Sequence, residues 1–120
     1  MPIASISMRF EPAVLKAYAR NEASMHIMLK NTDPAKTYWC ECDVAVKAPL
    51  SLAHDKELGI GRSRIGILKP GGEREKELRL YTNPNNFPDE YTLTVTAYLY
   101  DEDGAIAERT EQAGSVKCEG

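Results

Sequence analysis

Residues 91–100 alternate without a break. Tyr91, Leu93, Val95, Ala97 and Leu99 fall on one side; Thr92, Thr94, Thr96, Tyr98 and Tyr100 fall on the other. This period of two predicts a half-buried β-strand. The segment 23–30 repeats the pattern, with Met25, Ile27 and Leu29 on one face and Ser24, His26, Met28 and Lys30 on the other. In 37–47 the apolar set is Tyr38, Cys40, Cys42, Val44 and Val46, and its complement is Trp39, Glu41, Asp43, Ala45 and Lys47. Turning Trp39 inward would bury Glu41 and Asp43 with it, a heavy cost for unpaired charges. Trp39 is therefore expected on the outer face or at the sheet rim.

Strands are predicted at 3–10, 14–19, 23–30, 37–47, 64–68, 75–81, 91–100 and 105–111, with 115–118 as an extension. Turns separate them at 31–34, 69–72, 83–88 and 101–104. Pro70 lacks a backbone donor, and Gly71 and Gly72 favour turn conformations, so the run from Leu68 to Gly72 ends a strand. Gly104 can take a positive φ between two alternating runs, which marks a hairpin. No segment carries a convincing stripe at 3.6 residues. Seven to eight short strands at this spacing predict an all-β, immunoglobulin-like antiparallel sandwich with Greek-key connections, residues 1–120 forming one domain.

Lys30 and Asn31 close the second core strand. The turn from Leu68 to Gly71 follows, and then a strand opened by Asp89 and, two positions on, Tyr91. Over about residues 25 to 111 this arrangement resembles the CARDB-type immunoglobulin-like domains of archaea and bacteria. The resemblance implies an interaction or scaffold module and carries no catalytic residues. It makes Tyr91 a tyrosine-corner residue whose hydroxyl bonds main chain near the 83–88 loop. The chain departs from antibody-type domains in having no cysteine in either strand that would carry the inter-sheet disulfide.

Composition narrows the class further. Hydrophobic residues are 42% and charged residues 28% of 120, with a formal charge of −3, as in ordinary globular proteins. Residues 56–79 hold seven basic and four acidic side chains, and 101–120 hold two and six. That asymmetry could orient a partner, and a solvated surface is the expected reading. No basic, aromatic-interleaved stripe of a nucleic-acid binder is present, and no apolar run reaches membrane-spanning length. The N-terminus has no basic leader or apolar h-region. With three cysteines, an odd number, a cytoplasmic protein with reduced thiols is expected, unless the chain belongs to a longer secreted protein.

Candidate chemistry is sparse. Cys40 and Cys42 share a face about 6.5–7 Å apart by strand rise, and with Cys118 they offer a metal-binding or redox alternative. Their face is the apolar one, where free cysteine behaves as a small hydrophobe. His54, Asp55 and Glu57 could gather ligands in a loop, but no second cluster completes a coordination shell. Gly59, Gly61 and Gly66 look like a phosphate loop, but neither the Gly-Lys-Ser/Thr ending nor a following helix is there. A twisted or bulged edge strand explains them better. No nucleophile elbow is present. No cofactor and no catalytic residue are expected.

What remains is a surface. In immunoglobulin-like topology 37–47 and 91–100 are neighbours, which puts Trp39, Glu41 and Asp43 beside Tyr98 and Tyr100. Aromatics of this kind anchor interfaces, and they also stabilise sheets by cross-strand packing. The expected function is a non-catalytic binding module. Its partner would be another protein or a second copy in a homodimer, engaged through Trp39, Glu41, Asp43, Tyr98 and Tyr100. A carbohydrate-binding module is the other alternative, since exposed aromatics stack on sugars. No nucleic acid and no membrane are expected as partners.

Overall fold

The alternating runs become nine strands: β1 (Ala4–Glu11), β2 (Val14–Lys16), β3 (Asn21–Asn31), β4 (Tyr38–Val46), β5 (Leu50–Ser51), β6 (Ile60–Leu68), β7 (Glu73–Thr82), β8 (Asp89–Tyr100) and β9 (Ile106–Glu119). The computed structural model describes residues 3–56 and 58–120. Among these no helix forms. The strands make two sheets, four-stranded in the order β1-β3-β7-β5 and five-stranded in the order β2-β9-β8-β4-β6. All pairings are antiparallel except β2 with β9. The sandwich measures 48 × 22 × 19 Å.

The inner faces are those read from the alternation. Met25, Ile27 and Leu29 of β3 share one core with Cys40, Cys42 and Val44 of β4 and Leu93, Val95, Ala97 and Leu99 of β8. The expected seven to eight strands become nine with β5, too short to leave a period of two. The strand expected from residue 64 begins four residues earlier, at Ile60, because Gly61 contributes no side chain to a pattern. The predicted extension 115–118 continues β9 without interruption.

The edge strand β6 is bulged. Cys40 pairs with Gly66 and Glu41 with Arg64, so Ile65 has no opposite number. Gly66 has φ 113°, which an L side chain adopts only with strain. The extra residue sends Ile65 into the core and leaves Ile67 on the outer face.

Two buried asparagines close the ends of the sandwich. Asn31 Nδ2 donates to the carbonyls of Lys36, Leu68 and Lys69, and its Oδ1 accepts from the Asp33 amide. Asn86 Nδ2 donates to the carbonyls of Ala19 and Asn83 at 2.7 and 2.6 Å. Its Oδ1 accepts from the Tyr18 amide and the Cys118 thiol. Each ties loop backbone that has no ladder partner.

Tyr91 forms the expected corner. Its hydroxyl donates to the Phe87 carbonyl at 2.6 Å and accepts from the Phe87 amide at 3.0 Å. Its ring is half-buried. The 101–104 turn is also as expected: Gly104 sits at φ 80°, and Asp101 Oδ1 accepts from the Asp103 and Ala105 amides.

Candidate protein-interaction surface

Register places the outer face of the five-stranded sheet in rows. Trp39 of β4 lies opposite Ile67 of β6 and Tyr100 of β8, and Tyr100 lies opposite Ile106 of β9. The next row is Arg64, Glu41, Tyr98 and Arg109, and the third is Arg62, Asp43, Thr96 and Glu111. The first row is apolar across four strands. Ile67 is 54% exposed, Trp39 37% and Ile106 58%. Trp39 packs on Tyr100 with ring centroids 5.2 Å apart.

The charged rows are internally committed. Arg62 binds Asp43 through two nitrogens at 2.7 and 3.0 Å, reaches Glu41 at 3.4 Å and lies over the Tyr98 ring at 5.5 Å. The Tyr100 hydroxyl donates to Glu41 at 2.7 Å. Hydrogen bonding and charge from Arg62 hold the Asp43 carboxyl below the usual carboxylate range. Hydrogen bonding to Glu41 raises the Tyr100 phenol. Glu41 is only 8% exposed, so of the five residues expected to line the surface it stands beneath it. Trp39, Tyr98, Tyr100 and Asp43 reach the surface at least in part.

Ile67 and Ile106 belong to the face and were absent from the expected set. Ile67 was assigned to no face because the bulge at Ile65 inverts the parity of β6. Ile106 stood at the start of a run with little apolar signal. A second exposed aromatic pair, Tyr18 and Phe87, stacks edge-on at 5.9 Å at the Tyr91 end.

The three thiols do not converge. Cys40 lies opposite Leu99 of β8 and Cys118 opposite Asp89, which separates them by about 30 Å along the strand. All three are buried and free. Burial pushes the Cys40 thiol up to about 12 and the Cys42 thiol to about 11. Among the described residues no group of three His, Cys, Asp or Glu is arranged to hold a metal ion. His54 packs against Tyr81 at 5.8 Å, and Glu57 lies outside the described residues. His26 bonds Glu75 at 2.9 Å on the outer face of the smaller sheet. Gly61 and Gly66 lie within β6. Among the described residues no helix is long and apolar enough to cross a membrane.

No protein-family model matches the chain, and no curated protein matches it. Solved structures do. The CARDB domain of the PF1109 protein of Pyrococcus furiosus, in complex with di-metal ions, is 15% identical with a TM-score of 0.57, over 97% of this chain and 87% of that one. The fold is an antiparallel β-sandwich similar to that of this CARDB domain. Spo0M of Bacillus subtilis, a sporulation control protein, is 10% identical with a TM-score of 0.55, over the whole of this chain and 51% of that one. The present chain thus spans about half the length of Spo0M. BcpA, the major pilin subunit of Bacillus cereus, is 10% identical with a TM-score of 0.59, over 96% of this chain and 40% of that one. A β-sandwich fold shared at these identities carries no function with it.

Proposed function

We propose that this chain is a non-catalytic interaction module. It engages a protein partner, a second copy or another protein, through the outer face of its five-stranded sheet. One observation carries the reading. Ile67, Trp39, Tyr100 and Ile106 make an apolar band across four hydrogen-bonded strands, with Ile67 and Ile106 more than half exposed. A rigid band of this kind, bordered by Arg62, Arg64 and Asp43, has the apolar centre and polar rim of an interface. Its aromatic residues are of the type that dominate binding energy.

Sedimentation velocity of the wild type against a Trp39→Ala, Tyr98→Ala double variant tests self-pairing. The wild type is expected to associate at micromolar concentration and the variant to remain monomeric. A monomer in both cases removes self-association. Capture from native lysate with both proteins then tests a different partner, and an identical captured set removes the face itself. Binding to a glycan array that is lost in the double variant would redirect the face to sugars.

A further inference from the structure

We infer that the free edge of β6, residues 60–64, takes up an extended acidic peptide as an additional antiparallel strand. β6 ends its sheet, with β4 on one side and no strand on the other. The Val46 amide donates to the Gly59 carbonyl at 2.7 Å, so Val46 and Gly59 form a hydrogen-bonded pair. Two-residue steps along the register make Val44 with Gly61 and Cys42 with Ser63 bonded pairs as well. The amides and carbonyls of Ile60, Arg62 and Arg64 therefore point away from β4, toward solvent. The edge is bounded at both ends. The Ile67 carbonyl accepts from Arg74 Nε at 2.8 Å, and the Leu58 carbonyl accepts from the Leu52 amide.

Natural edges are usually guarded by proline, an inward charge or a covering loop. This one has no proline between its ends, and the bulge lies beyond the free stretch. Its chemistry selects the occupant. From residue 58 to 72 the chain carries Arg62, Arg64 and Lys69 and no acidic residue. The Arg64 guanidinium sits 6.0 Å from the Trp39 ring centroid, on the outer face. Ile60, at the start of the free stretch, is itself exposed. Arg62 is already held by Asp43 and Glu41, so an added strand that engages all three outward positions needs a carboxylate opposite Arg64 and an apolar residue opposite Ile60. A second copy is a poor occupant, because the two-fold register that uses all three positions sets Arg64 against Ile60 of the copy and offers it no carboxylate. Strand addition to an open edge is an established mode of peptide capture.

The inference does not depend on the aromatic face, and the test separates the two. The probe is the capped peptide Thr-Glu-Thr-Glu-Thr-Val-Thr, titrated into the full chain and followed by amide chemical shifts. Shifts and slowed amide exchange are expected at Ile60, Arg62 and Arg64. The same peptide with lysine for glutamate should bind about tenfold more weakly or worse, a full decade in the dissociation constant. Ile60→Pro removes an outward donor at the start of the strand, where proline is tolerated, and should abolish binding with the melting temperature little changed. If that variant fails to fold, Arg64→Gln takes its place and should weaken the acidic peptide severalfold. Ile106→Ala, on the aromatic face but three strands away from β6, should bind as the wild type does. Equal binding of the lysine peptide, no shifts at the edge, binding lost in Ile106→Ala but kept in Ile60→Pro, or dimerisation through β6 would each overturn the inference.

Discussion

The Tyr100 hydroxyl donates a 2.7 Å hydrogen bond to the carboxylate of Glu41, across the pair of strands that centres the proposed surface. Glu41 is nearly buried on the outer face, and its charged partner, Arg62, is 3.4 Å away. The aromatic band therefore rests on an ionic layer. Trp39 packs on the ring whose hydroxyl satisfies Glu41.

Removing that hydroxyl should expose the dependence. Tyr100→Phe is expected to cost about 1–3 kcal/mol in urea unfolding, the range for leaving a buried polar group without a partner. Glu41→Gln, which keeps an acceptor and discards the charge, should cost less. Equal stability of Tyr100→Phe and wild type would mean that water or Arg62 replaces the hydroxyl.

The facing of β8 is tested by three substitutions. Leu93→Ala should cost ~2–5 kcal/mol by opening a cavity between the sheets. Tyr91→Phe should cost about 0.5–1.5 kcal/mol, the range for a lost hydrogen bond whose partner groups, here on the exposed Phe87, can turn to water. Thr94→Ala, on the outer face, should cost well under either. Melts in which Thr94→Ala matched Leu93→Ala would contradict the register.

Asn86 is expected to be the most sensitive polar position. Its side chain bonds the Tyr18 amide, the Ala19 and Asn83 carbonyls and the Cys118 thiol. Asn86→Ala should cost about 2–4 kcal/mol, more than one lost hydrogen bond, since several buried groups are orphaned together. A loss below that of Tyr91→Phe would show that water refills the site.

Stability should fall at alkaline pH. The folded-state values of Cys40 and Cys42 are raised by burial to about 12 and 11, above the unfolded thiol near ~8.5. Above that lower value the unfolded chain has released protons that the folded chain retains, so unfolding becomes easier as pH rises. The decline should run from about pH 9 to the folded values, and a Cys40→Ala, Cys42→Ala variant should show a shallower slope. Rapid labelling of both thiols in the native protein at pH 8 would contradict their burial.

The acid limb has the opposite sign. Hydrogen bonding from Tyr38 lowers the Asp33 carboxyl, and that from Arg62 lowers Asp43. Their contribution is present above the unfolded carboxylate value and lost as pH falls through the depressed folded values. Asp43→Asn should lower stability at neutral pH and flatten the profile below about pH 4. An acid limb identical to wild type would show that Asp43 and Arg62 contribute nothing in solution.

By itself the sequence determined the strands whose side chains alternate. Met25, Ile27 and Leu29, then Cys40, Cys42 and Val44, then Leu93, Val95, Ala97 and Leu99 face inward, because the other parity buries charge in the first two strands and a row of hydroxyls in the third. It also determined the turn at Gly104 and the corner at Tyr91, where backbone conformation or one hydroxyl leaves a local mark. Tertiary structure decided the rest. The bulge at Ile65 flips the parity of β6 and so brings Ile67 to the outer face, and nothing in a local pattern counts residues on a facing strand. Glu41 and Tyr100 are 59 positions apart in the chain, and Asn86 and Ala19 are 67 apart. Glu41 becomes buried only when Arg62 and Tyr100 arrive from the two neighbouring strands. The open edge of β6 is likewise a property of sheet order, since a strand becomes an edge only when no other strand pairs beyond it.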